Sequence, residues 1–162
     1  MGVNMTRLAD MTATQRQSWL VLLADGAVFF WFWQKMTVGF SLMPINYDMD
    51  QFGSIVIGLI ILTIILHVAI SITFEIAANN ADKTKDERDI SIERQGTHWG
   101  YRVLQFGVGA VVFGILMTAA FGEDYQSPLN FETPVQIIFY LMVISYIADL
   151  VKHVVIIYRY GR

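Results

Sequence analysis

The chain contains, at residues 52–78, the stretch FGSIVIGLIILTIILHVAISITFEIAA, in which Glu75 is the single charged side chain apart from the titratable His67. A helix needs about 20 predominantly apolar residues to cross a bilayer, and this stretch is longer than that. Three further apolar stretches occupy residues 19–43, 103–122 and 135–158. The sequence therefore predicts an all-α integral membrane protein whose four transmembrane helices form one bundle.

The composition fits this class of protein. The chain has 162 residues, of which 55% are hydrophobic and 15% charged, and its mean hydropathy is +0.49. An average soluble domain has roughly 25% charged residues. Four spans leave no room for a second folded domain, so residues 1–162 are predicted to form a single one. Because the chain has no cysteine, disulfides and thiolate metal sites are excluded.

The basic residues alternate between the two sides of the predicted membrane. They occur in the N-terminal tail, in the connector at residues 79–102 and at the C-terminal end, whereas the first and third loops hold acids and no base. The positive-inside rule then places both termini and the connector in the cytoplasm. We expect no cleavable signal peptide, since Arg7, Asp10 and Arg16 precede the first span.

The connector is the one sizeable polar segment, and it interleaves acids with bases. Asp82, Asp86, Asp89 and Glu93 share one face if the segment is helical. Three interpretations stay open: a solvated helix, a docking surface for a cytoplasmic partner, or a divalent-cation site. The candidate docking residues are Asp86, Glu87, Arg88, Asp89, Glu93 and Arg94.

The same segment carries a resemblance to a known group of proteins. Asp-Glu-Arg-Asp at residues 86–89, Ile-Glu at 92–93 and Gly-Tyr-Arg at 100–102 precede an apolar span. This pattern resembles a segment of small four-span bacterial inner-membrane proteins of unknown function. The match covers little more than this segment and the layout of the spans. It implies a bacterial inner membrane and a role for the connector, and it implies nothing about a substrate.

Ionisable residues inside the spans are the strongest functional signal. A charge at the bilayer centre costs at least about 2.5–3.5 kcal/mol, so such side chains are expected to face the bundle interior and pair. Helical rise places Asp25, His67 and Asp149 in one layer of the cytoplasmic half, and Glu75 with His153 in a second layer nearer the cytoplasm. The predicted polar cluster comprises Asp25, His67, Glu75, Asp149, Lys152 and His153.

This predicted cluster has three interpretations. The first is a structural network that fixes how the helices pack, and the second is a proton or ion relay. The third is a metal or haem site, for which the candidate ligands are His67, Glu75, Asp149 and His153. The default expectation is that no cofactor is bound, with metal or haem as the alternative.

The third span has small residues at every fourth position, which are Ala110, Gly114, Thr118 and Gly122. Such a stripe lets two helices approach closely inside a membrane. The stripe serves packing within the chain in one interpretation and a homodimer in the other.

No motif of a hydrolase, phosphate-binding loop or zinc finger occurs, and the interleaved charges do not indicate nucleic-acid binding. An enzyme is therefore not the favoured class. The sequence favours an accessory or regulatory inner-membrane protein that presents its connector to a cytoplasmic or membrane partner. The first alternative is an oligomeric proton-coupled transporter or channel, and the second is a metal- or haem-binding membrane protein.

Overall fold

The structure is a computed structural model that describes residues 11–39, 41–42, 44–45, 47–77, 86–122, 129 and 131–161. These residues form four α-helices, and the predicted all-α fold is confirmed. The helices are α1 (Ala13–Met36), α2 (Met49–Ala77), α3 (Glu87–Phe121) and α4 (Pro134–Tyr160). Residues 79–85 of the predicted connector lie outside the described residues.

Three of the four helices, α2, α3 and α4, are long and apolar enough to cross a membrane. The first helix, α1, is not among them, and it carries Arg16, Asp25 and Lys35. At about 1.5 Å per residue, the 35 residues of α3 extend about 52 Å, which exceeds the roughly 30 Å of a bilayer's hydrocarbon core. The charged first turns of α3 therefore extend beyond its apolar part.

Local sequence explains where the helices begin. Thr12 caps α1, since its side-chain oxygen accepts the backbone N–H of Gln15 at 3.2 Å. Thr133 and Gln136 form a reciprocal capping box at the start of α4, and Pro134 occupies the first turn, where its missing N–H leaves no hydrogen bond unmade. These caps satisfy backbone donors that the helix itself cannot.

The fourth helix, α4, lies at the centre of the packing. It packs most extensively against α3 and also against α1, while α2 packs mainly on α1. Phe32 and Phe139 join α1 to α4, with ring centroids 5.7 Å apart, and both side chains are fully buried. Phe52 and Leu59 are the buried apolar contributions of α2.

Most of the apolar surface of α2 is exposed. Ile57, Ile61, Ile64 and Ile65 are each more than half exposed, along with several neighbours. Lipid tails are as apolar as these side chains, so a bilayer solvates this face without cost. Thr63 contacts Tyr146 of α4 and His67 contacts Asp25 of α1, so these polar groups of α2 face the other helices.

Glycines allow α3 and α4 to approach closely. The glycines that do so are not members of the predicted stripe of small residues. Gly96, Gly100 and Gly107 lie directly against α4. Within the predicted stripe, Gly114 lies against the ring of Phe131, whereas Ala110 is exposed. The Thr118 hydroxyl donates to the Gly114 carbonyl at 3.0 Å within α3 itself. Gly122 ends the helix at φ +59°. The homodimer stays a prediction, and the close approach inside the chain is made nearer the N-terminal end of α3.

We expect Gly100→Ala to destabilise the protein by about 1–3 kcal/mol, the usual cost of overpacking. A Cβ at this position would lie 2.9 Å from the carbonyl oxygen of Ala148, which is backbone and cannot move aside cheaply. Thermal unfolding in mild detergent measures the effect. Gly109→Ala is the matched control, because nothing lies within 4 Å of its Cβ position. Equal melting temperatures for the two variants would contradict this account of the α3–α4 contact.

Candidate functional site

Asp25, in the middle of α1, is the most deeply buried ionisable residue of the site. The residue is 2% exposed, and His67 of α2 is its direct partner. The His67 Nε2 atom lies 3.2 Å from Asp25 Oδ2 in a hydrogen bond and 3.1 Å from Oδ1. A buried carboxylate is tolerated only when it is paired and hydrogen-bonded, so this contact links α1 to α2 at a defined level.

Asp149 forms a second group of contacts on α4. The Lys152 ammonium lies 3.6 Å from Asp149 Oδ1, and His153 Nε2 lies 3.6 Å from Asp149 Oδ2. The three residues meet because positions i, i+3 and i+4 share one face of a helix. The Asp149 side chain is 34% exposed and that of Lys152 is 37% exposed, whereas His153 is buried.

The two groups converge into one cluster. Single ligand atoms of Asp25, Asp149 and His153 all lie within 4.8 Å of one another. Two carboxylates so close together repel each other when both are ionised, and either a shared proton or a bound cation relieves that repulsion. The site is therefore built to attract positive charge, with His67 and Lys152 at its edge.

A cavity of about 250 Å³ opens beside Asp25 between α1, α2 and α4. Its polar lining is supplied by Asp25, Thr63, His67, Ser145, Tyr146 and Asp149. A second cavity, of about 260 Å³, lies between α3 and α4. Ser145 and Asp149 line both cavities, so these two residues of α4 lie between them.

Thr63 and Tyr146 close one wall of the first cavity. Their side-chain oxygens are 2.7 Å apart, and the Thr63 hydroxyl also donates to the Leu59 carbonyl at 2.9 Å. A hydroxyl has one hydrogen, so Tyr146 is the donor in this pair. This bond joins α2 to α4, as the Asp25–His67 contact joins α2 to α1.

The structure brings together Asp25, His67, Asp149, Lys152 and His153 and leaves Glu75 apart. Glu75 is exposed in the last turns of α2 and does not line the cavity. His153 was expected in a layer with Glu75, but its position one turn beyond Asp149 on α4 directs it to the Asp149 carboxylate instead. His67 and His153 contact different carboxylates, Asp25 and Asp149, and ligation of haem by these two histidines stays a prediction.

The predicted cluster lacked several residues that line the cavities, among them Thr63, Tyr146, Ser145 and Gly100. Ser145 lies one turn before Asp149, and the i, i−4 spacing was the only signal that could have identified it. Gly100 opens the α3 side of the second cavity, and nothing in the sequence distinguishes it from the other glycines of α3.

The candidate docking residues of the connector have mixed environments. The Tyr160 hydroxyl donates to Asp89 Oδ1 at 2.5 Å, which ties the first turn of α3 to the end of α4. Glu93 is half-buried and engaged in an interaction of its own. Asp86, Glu87, Arg88 and Arg94 are exposed.

Comparisons with known proteins add no assignment to this geometry. No protein-family model matches the chain, and searches of curated proteins and of solved structures gave no match either. The cluster and its two cavities therefore carry the functional inference.

We expect Tyr146→Phe to destabilise the protein by roughly 0.5–1.5 kcal/mol, the net value of one hydrogen bond. The change removes the donor to Thr63 while it keeps the ring that packs on Phe29 and Phe32. The melting temperature of this variant is compared with that of Tyr101→Phe, because Tyr101 is 61% exposed and serves as the control. If the Tyr146 and Tyr101 variants unfold at the same temperature, the bond contributes nothing to holding α2 in place.

Proposed function

We propose that this chain is an integral membrane protein that binds a divalent transition-metal ion in the cluster formed by α1, α2 and α4. The observation that carries the proposal is the convergence of Asp25, Asp149 and His153 within 4.8 Å. Imidazole together with carboxylate is the donor set that suits Zn²⁺ and non-haem Fe²⁺. Two aspartates also supply the charge that balances a divalent cation.

The spacing of the donors fits a metal ion after a small adjustment. Bonds of about 2.0–2.2 Å from a tetrahedral ion separate its ligand atoms by about 3.3–3.5 Å. The donors are already within 4.8 Å, so movements of about an ångström, made by side chains alone, complete the site. His67 holds the Asp25 carboxylate from the other side, as hydrogen-bonded groups around a metal commonly hold its ligands.

One buried nitrogen of the cluster lacks a hydrogen-bond partner. His153 Nδ1 is buried and forms no hydrogen bond within the described part of the chain, and Asp25 Oδ1 has only its 3.1 Å ion-pair contact with His67 Nε2. An unsatisfied buried polar atom costs about 1–3 kcal/mol, and coordination of an ion at the cluster offsets such a cost. This supports a ligand at the cluster in preference to a closed structural network.

The size of the cavity favours a bare ion over a larger cofactor. Its volume of about 250 Å³ lies below the roughly 300–1,000 Å³ of usual small-molecule and cofactor pockets. Lys152 does not block the site, because its side chain is 37% exposed and its ammonium can extend to the headgroup layer.

We expect protein purified in mild detergent without chelator to contain zinc, iron or manganese at close to one ion per chain, measured by elemental analysis. Asp25→Asn keeps the size of the side chain but removes its charge, and it should lower metal affinity by at least about 10–100-fold. Glu75→Gln is the control, since Glu75 is exposed and outside the cluster. Its metal content should equal that of the wild type.

A metal-free protein that also fails to bind Zn²⁺ or Co²⁺ in titration would overturn the proposal. Unchanged affinity in Asp25→Asn would overturn it as well, even if metal is present. A metal-free protein that supports proton flux in liposomes would instead favour the proton-coupled transporter predicted as an alternative.

We further propose that all four helices span the membrane, with both termini and the connector in the cytoplasm of a bacterial inner membrane. The 24 residues of α1 extend about 36 Å, enough to cross the hydrocarbon core. Its buried charge is paired with His67, which removes the main cost of placing it in lipid. The alternation of basic and acidic loops supports the orientation.

The absence of cysteine permits a direct test of this topology. A membrane-impermeant maleimide added to intact spheroplasts should label Leu42→Cys, located between α1 and α2. Glu87→Cys and Gly161→Cys should be labelled only after lysis. Labelling of Glu87→Cys in intact spheroplasts, or of all three variants alike, would refute the proposed orientation.

An accessory or regulatory role, with the connector presented to a partner, stays a prediction for the same protein. It is supported by the exposure of Glu87, Arg88 and Arg94 on the part of α3 that extends beyond its apolar residues. It is weakened at Asp89, whose carboxylate is already bound to Tyr160.

A further inference from the structure

A separate groove lies on the outer side of the α3–α4 pair. Its volume is about 340 Å³, and Trp99 and Arg102 stand at one end. Val103, Phe106, Ile144 and Ile147 form its apolar walls. None of the residues of the metal cluster lines it, so the groove is a distinct site.

Arg102 marks the end of the charged part of α3. No charged residue follows it until after Gly122, so its guanidinium lies at the predicted membrane boundary. The side chain is exposed and has no ion pair or hydrogen bond with any residue that the structure describes. An arginine at this level, with no partner among the described residues, is available to a ligand from the bilayer.

The neighbouring residues complete the features of a lipid site. Trp99 precedes Arg102 by three positions, lies on the same face of α3 and is 52% exposed. Indole rings favour the headgroup layer, and guanidinium binds phosphate through paired hydrogen bonds. Phe106 follows Trp99 by about two turns of α3 and is 82% exposed. It offers apolar surface to an acyl chain.

We propose that this groove binds an anionic phospholipid. The headgroup phosphate is held by Arg102, the glycerol region lies beside Trp99, and one acyl chain follows Val103, Phe106, Ile144 and Ile147. Gly107 shapes the groove, because the absent side chain lets Ile144 lie against the α3 backbone. The combination of the Arg102 guanidinium with a long apolar wall selects a lipid and not a free phosphate ion.

Native mass spectrometry and thermal unfolding in mild detergent, with phosphatidylglycerol or phosphatidylcholine added, test the proposal. We expect phosphatidylglycerol to bind and stabilise the wild type more than phosphatidylcholine does. Arg102→Gln should weaken phosphatidylglycerol binding roughly tenfold or more, by loss of a charge-assisted contact. Arg94→Gln is the matched control, since Arg94 is an exposed arginine on the same helix outside the groove.

A second variant acts through the apolar wall and leaves the charge in place. Ile147 is 40% exposed, so Ile147→Trp should be accommodated and should displace the acyl chain from the groove. Loss of phosphatidylglycerol binding in both variants, with melting temperatures in phosphatidylcholine like that of the wild type, would support the site. Equal losses in Arg94→Gln and Arg102→Gln, or full competition by inorganic phosphate, would overturn it, as would unchanged binding in Arg102→Gln.

Discussion

The buried carboxylate of Asp25 is the constraint on which the rest of the bundle depends. An acid that is 2% exposed has to be paired, and its partners come from two other helices, His67 on α2 and the Asp149 group on α4. The level at which these helices meet is therefore set by polar contacts and not by apolar packing alone.

The all-α fold and most of the cluster could be predicted from the sequence. Long uncharged stretches indicate helices of membrane length, and the cost of isolated charges in lipid predicts that Asp25, His67 and Asp149 pair. Depth along a helix is a simple function of residue number, so their common layer could be estimated as well. The rotation of each helix about its own axis cannot be estimated from residue number. For this reason Glu75 was grouped with residues that it does not contact.

Packing between α3 and α4 could not be predicted for a related reason. The small residues of the third span repeat every four positions from Ala110, and two of the glycines that contact α4, Gly96 and Gly100, have the same spacing. Spacing alone does not distinguish two such stripes. The choice depends on the partner helix, where Ala148 and Lys152 present backbone that only a glycine can approach.

The central position of α4 has a consequence for how the protein is made. It follows α1 and α2 in the chain, so both of those helices are synthesised before Asp149 and the other packing partners on α4 exist. The Asp25–His67 pair joins two consecutive helices, so this contact can form before α4 is made. The same contact that organises the finished site thus gives the Asp25 carboxylate a partner during synthesis, while its neighbours on α4 are still missing.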